Sequence, residues 1–184
     1  MESADATFDL PYYPVGKKPV IVQGFHGPYH ARVPTPMKLD YAVDLALPIS
    51  TIVTASRSGI VREFSMTSDR YFRDPDLTPE QIRDATRYLT NWILLEHPEG
   101  MLTLYAHLEK GSQRIAKGQQ VHAGQMIART GLSGWVGDID NLHFQVLRWL
   151  RPLQPFGRAG YETVPFRFRG YEGPMEHKQL FARS

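Results

Sequence analysis

The sequence predicts a mainly β fold, an antiparallel, barrel-like sheet core carrying one short helical insertion. Three observations lead there. Glycine (15), proline (14), tyrosine (9) and phenylalanine (9) are all plentiful in the 184 residues, a composition suited to short strands joined by tight turns. The apolar and β-branched runs are short and end at turn residues. A single segment combines helical periodicity with a capping signature.

Taken in order, residues 1–18 read as an irregular N-terminal arm broken by Pro11 and Pro14. Residues 19–23 form a strand. Gly24 to His30 is a glycine-rich turn with histidines at both 26 and 30, and residues 31–39, with Pro34 and Pro36, are an exposed loop. Tyr41 to Pro48 is mostly apolar with Asp44 in its middle. Residues 51–55 and 60–64 are strands around the turn Ser58-Gly59, a strand–turn–strand pattern of an antiparallel sheet. Residues 65–90 hold the insertion. Thr78 is its N-cap, Pro79 the first helical residue and Gln81 the capping-box partner, while Ile82, Ala85 and Leu89 share one face. Residues 92–96 and 101–105 are strands around a turn at 97–100. From Ile115 to Ile127 an apolar residue alternates with glycine at every third position (Ile115, Gly118, Val121, Gly124, Ile127). A strand period of two cannot produce that spacing; short strands separated by tight turns can. In the strand 141–147, Leu142, Phe144 and Val146 face one way and Asn141, His143 and Gln145 the other. The core domain therefore spans 19–150, and 151–184 is a C-terminal extension.

Composition narrows the function. Apolar residues are 42% and charged residues 22%, and the net charge is +2, which gives no nucleic-acid signature. The basic residues from Arg148 onward read as a solvated surface tail. With no cysteine, disulfides and thiolate zinc sites are excluded, so any metal must be held by histidine, carboxylate or water. No run of about 20 apolar residues exists to span a membrane, and the N-terminus lacks the apolar core of a signal peptide.

Seven histidines occur, and each is structural or solvated unless its setting says otherwise; His97, His122 and His177 lie in turn or tail contexts. Asp44 is different, because a carboxylate between Val43 and Leu45 in a strand is costly unless it faces solvent, is paired or binds a metal. His143 lies on the polar face of its strand, and His107 ends a strand before the turn at Lys110-Gly111. Zinc hydrolases use three histidine or carboxylate ligands plus a water, and a nearby histidine can move protons or stabilise an oxyanion. Asp44, His143 and one further histidine meet that count.

These residues resemble the lysostaphin-type (LytM-type) endopeptidases. Tyr41-Ala-Val-Asp44-Leu-Ala-Leu-Pro48 with Thr51-Ile-Val-Thr-Ala55 and Ser58-Gly-Ile-Val61 is similar to that family's first motif, and Tyr105-Ala-His107-Leu108 to its second. The glycine triplet and Gly131-Leu-Ser-Gly134 are similar to its central segment, and Leu142-His143-Phe-Gln-Val146 to its last motif. The resemblance covers roughly residues 20–150, with the motifs in the family's order. It implies a β-sheet with a groove, one Zn2+ ion, cleavage of peptidoglycan peptides, and a periplasmic or extracellular setting. It implies Asp44 and His143 as ligands and His107 as the histidine that stabilises the transition state. Two departures stand out. The family's ligand four residues before the aspartate is here Asp40, so the turn ending in His30 supplies the third ligand, with Asp40 and then His26 as alternatives. The first histidine of the closing His-x-His is here Asn141, which cannot shuttle a proton; Asp138 and Asp140 read as turn residues that could compensate. A non-catalytic cell-wall or partner-binding regulator of the same fold is the alternative function. A lipoyl-type carrier, with Lys117 as the modified lysine, fits poorly.

Overall fold

A computed structural model describes residues 6–13, 20–33, 39–74, 76–150 and 160–176. Its elements run β1 (Thr7–Phe8), β2 (Ile21–Gln23), α1 (Pro28–Arg32), β3 (Ala42–Ala46), β4 (Ile52–Thr54), β5 (Gly59–Ser65), β6 (Tyr71–Phe72), α2 (Pro79–Tyr88), β7 (Trp92–Glu96), β8 (Met101–Ala106), β9 (Gln120–Val121), β10 (Met126–Arg129), β11 (Gly134–Trp135), β12 (Asn141–Trp149), β13 (Tyr161–Thr163) and β14 (Arg167–Phe168). The fold is mainly β, as the composition requires.

The main sheet is antiparallel in the order β2-β3-β12-β8-β7-β5-β9, with β13 also pairing β12. On one face, Leu142, Phe144 and Val146 of β12 pack with Val43, Leu45, Ile93, Leu95 and Tyr105. The two-stranded β4–β10 sheet closes that core through Val53 and Ile127. Each such fully buried aliphatic or aromatic side chain contributes about 1.5–3 kcal/mol of transfer free energy. The opposite face is covered lower down, where Leu94, Leu102, Leu104, Leu147 and Tyr161 cluster. The first seven residues of β12 are therefore all buried. A polar face on such a strand must find partners rather than water.

Several expectations are corrected. The strands expected at 51–55 and 60–64 are antiparallel, but to other strands and not to each other: β4 pairs with β10, and β5 pairs with β7 and β9. The glycine-rich turn contains a helix, α1, which starts at Pro28. The basic C-terminal stretch is not a solvated tail throughout, because Tyr161, Phe166 and Phe168 are buried and β14 pairs with β1. Within the N-terminal arm, Phe8 and Tyr12 are buried as well. The insertion folds as the sequence indicates. In α2 the Thr78 side chain accepts from Gln81 N while Gln81 Oε1 accepts from Thr78 N, a complete capping box, and Ile82 and Ala85 are buried.

Candidate metal centre

Sheet register brings the site together. One row across the strands reads Gln23, Asp44, His143, Ala106 and Trp92. Residues directly opposite each other on antiparallel strands have their β-carbons about 4.5–5.5 Å apart, so Asp44 and His143 must meet. Asp44 Oδ1 lies 2.8 Å from His143 Nδ1. A bulge between Ile21 and Gln23 shifts β2 by one residue and turns Gln23 to the same face. Its Nε2 donates to Asp44 Oδ2 at 3.0 Å.

His30 arrives from outside the sheet, on α1. Gly27 provides no side-chain cap for this helix, and Gln23 Oε1 instead accepts from Tyr29 N at 3.0 Å, satisfying one of the free N–H groups of the first turn. The glycine is required there, because a β-carbon on Gly27 would lie 2.3 Å from Gln23 Cγ. His30 Nε2 reaches to 3.3 Å from Asp44 Oδ2.

His30, Asp44 and His143 thus present three ligand atoms within 4.8 Å of one another. His30 and His143 are 6% and 7% exposed. Nε2 of His30 has only the ion-pair contact with Asp44, and Nδ1 is buried with no hydrogen-bond partner among the described residues, a costly state that a metal ion would relieve. Zinc bonds of about 2.0–2.1 Å in a tetrahedron separate ligand atoms by about 3.3 Å, close to the His30–Asp44 spacing. Two imidazoles and a carboxylate therefore fit a zinc ion. Burial pushes the Asp44 carboxyl up, but the His30 and His143 imidazoles outweigh it and hold the group well below the usual carboxylate range. Asp40 and His26 are both exposed and lie outside this trio.

His107 follows β8 with φ +62, a left-handed conformation uncommon outside glycine, which turns its ring out of the strand alternation. The His107 and His143 ring centroids are 5.9 Å apart. Its Nδ1 donates to Ser133 O at 2.8 Å; a carbonyl only accepts, so Nε2 is the nitrogen left with a lone pair. Burial, reinforced by His143, lowers the His107 pKa to about 4. Asn141 is two residues before His143 on the same face. Its Nδ2 donates to Val136 O (3.0 Å) and Ile139 O (2.8 Å), while its Oδ1 is buried with no hydrogen-bond partner among the described residues. Asp140 pairs with Arg73.

Of the remaining histidines, His97 is buried and bonded to Ser58 O and Thr103 Oγ1, so it is structural rather than a mere turn residue. His122 is exposed, and His177 lies outside the described residues. Sequence reasoning missed the two supports, Gln23 and Ser133. Each is a polar residue beside a glycine, a signal too common to single out.

The sequence model of peptidase family M23 matches residues 38–155. The chain belongs to peptidase family M23. No curated protein matches it. Among solved structures, it is similar to a zinc-containing peptidase of Vibrio cholerae, at 27% identity and TM-score 0.47, covering 75% of this chain and 37% of that one. It is also similar to the M23 metalloprotease Pseudoalterin from the deep sea, at 17% identity and TM-score 0.52, over 86% of this chain and 74% of that one. The catalytic domain of lysostaphin from Staphylococcus simulans is similar at 22% identity and TM-score 0.44, over 71% and 79%. This M23 chain thus spans little more than a third of the Vibrio protein's length, and the likeness to Pseudoalterin shows the shared fold.

Proposed function

We propose that this M23 chain is a zinc-dependent endopeptidase acting on peptidoglycan peptides. The observation that carries the reading is the buried His30–Asp44–His143 trio, set beside a third histidine, His107, whose free nitrogen is available for proton transfer. These three residues would hold one Zn2+, which would supply a Lewis acid for the scissile carbonyl and a water acidified to near-neutral pKa.

The chain's own residues do the rest. Asp44 is fixed on both sides, by Gln23 and by His143. His107, neutral at pH 7 because its pKa is lowered, would accept at Nε2 the proton released by the attacking water. The resulting imidazolium would then donate to the oxyanion or to the leaving amine. Asn141, with its amide nitrogen committed to two carbonyls, would offer only an acceptor oxygen and no proton.

That last feature supports the second reading, a non-catalytic wall-binding regulator. Loss of a general acid–base group costs on the order of 10²–10⁴-fold in rate. Purified peptidoglycan incubated with the zinc-loaded protein separates the two. Release of new amino termini, abolished by chelator and by His107→Ala, supports the enzyme. Binding to the wall with no such release from the parent protein supports the regulator.

A further inference from the structure

The helix that carries His30 cannot position itself. It is five residues long, and an isolated helix that short is unstable in water. Gln23 holds its first turn. Its last turn rests on the insertion: Arg32 Nη2 donates to Leu77 O at 3.4 Å, and the Arg32 guanidinium lies over the Trp135 ring, 5.4 Å from the centroid. The Tyr29 ring meets Trp135 edge-on with centroids 5.9 Å apart. Val33, just after the helix, packs on the cluster of Leu77, Ile82, Ala85 and Trp135.

Trp135 is in turn fixed by the insertion. Its Nε1 donates to Asp74 O at 3.1 Å, and β11 pairs with β6 in parallel. Arg73 donates to Gly137 O at 3.1 Å and pairs with Asp140, bracing the loop whose carbonyls anchor Asn141. The insertion thus touches His30's helix directly and Asn141's loop directly.

We propose that the insertion at 65–90, acting through Trp135 and Arg32, is a brace that sets the position of His30 at the metal centre. Arg32 and Trp135 are positioning residues, because neither belongs to the ligand trio. This rests on the metal-centre reading above. The planar guanidinium both stacks and donates, which a lysine ammonium cannot reproduce.

The test is zinc affinity by competition with a chromophoric chelator, together with the visible spectrum of the Co2+-loaded protein. Arg32 is exposed, so Arg32→Ala folds even if a Trp135 variant does not. Arg32→Ala and Trp135→Phe should each weaken zinc binding roughly 10–100-fold, the range for outer-shell partners. Arg32→Ala should also alter the Co2+ bands while leaving the metal-free melting temperature close to the parent's. Arg83→Ala, on the exposed side of α2, should change neither. If the parent binds zinc, His30→Ala loses it and Arg32→Ala keeps parental affinity, the brace is overturned while the metal centre stands. A parent that binds no zinc overturns both.

Discussion

Asp44 and His143 occupy directly opposite positions on β3 and β12, with Oδ1 and Nδ1 2.8 Å apart. Side-chain direction alternates with a period of two, so a one-residue slip of either strand would send its own group to the apolar core face and part the pair. The register that packs Phe144 and Val43 into the core therefore also sets the spacing of two candidate ligands.

Asp44→Asn keeps the shape and removes the charge. It should reduce zinc affinity by more than about 100-fold, beyond the loss typical of an outer-shell change, with an unchanged far-ultraviolet circular dichroism spectrum. Isothermal titration with zinc measures this. Parental affinity in the variant would remove Asp44 from the ligand set.

Gln23 bridges the carboxylate and the helix, donating to Asp44 and accepting from Tyr29 N. Gln23→Ala severs both links at once and should weaken zinc binding roughly 10–100-fold. Gln23→Glu should also weaken it, since it sets a second carboxylate against Asp44. Equal affinity in all three proteins would show that Asp44 needs no such support.

Asn141 tests the loop before β12. Asn141→Asp replaces a donor to two carbonyls with an acceptor that repels them, and should cost about 1–3 kcal/mol of stability. Urea denaturation of the metal-free protein measures it. A variant as stable as the parent would mean that the Val136 and Ile139 hydrogen bonds contribute nothing.

His97 provides a pH dependence. Burial lowers its pKa below the ordinary value of 6.5, so the unfolded chain takes up a proton that the folded chain resists. Its contribution is fully present above the ordinary value and is lost as the pH falls through it towards the lowered one, by at most about 1.4 kcal/mol per pH unit. The urea midpoint of the metal-free protein should fall between pH 8 and pH 5, and fall less in His97→Gln. Equal falls would place the effect elsewhere.

What the sequence made legible follows the range of the interactions. The capping box at Thr78 and Gln81 and the β7–β8 hairpin are local, and both stand in the structure. Asp44 stands out in the sequence as a charge between Val43 and Leu45, and His143 lies opposite it in the sheet. The partner of β4 was not legible, because β10 is remote in sequence and contacts it only through the fold. The parallel pairs β1–β14 and β6–β11 are two residues long, too short for any periodicity to register. The helix around His30 was hidden by Gly27 and Pro28, which read as a turn, although proline at a first helical position is also a helix start. Its contacts include Trp135, which is remote in sequence, and Gln23, which reaches it only because a bulge turns that side chain to the site.

In the proposed zinc site His30, and not Asp40, completes the pair Asp44–His143. Zinc content by elemental mass spectrometry, on the parent and on His30→Ala and Asp40→Ala, tests it most directly. The parent should hold about one zinc per chain, as three protein ligands imply, lost with His30→Ala and retained with Asp40→Ala. Zinc that survives His30→Ala but not Asp40→Ala, or a parent that takes up none when zinc is supplied, would contradict it.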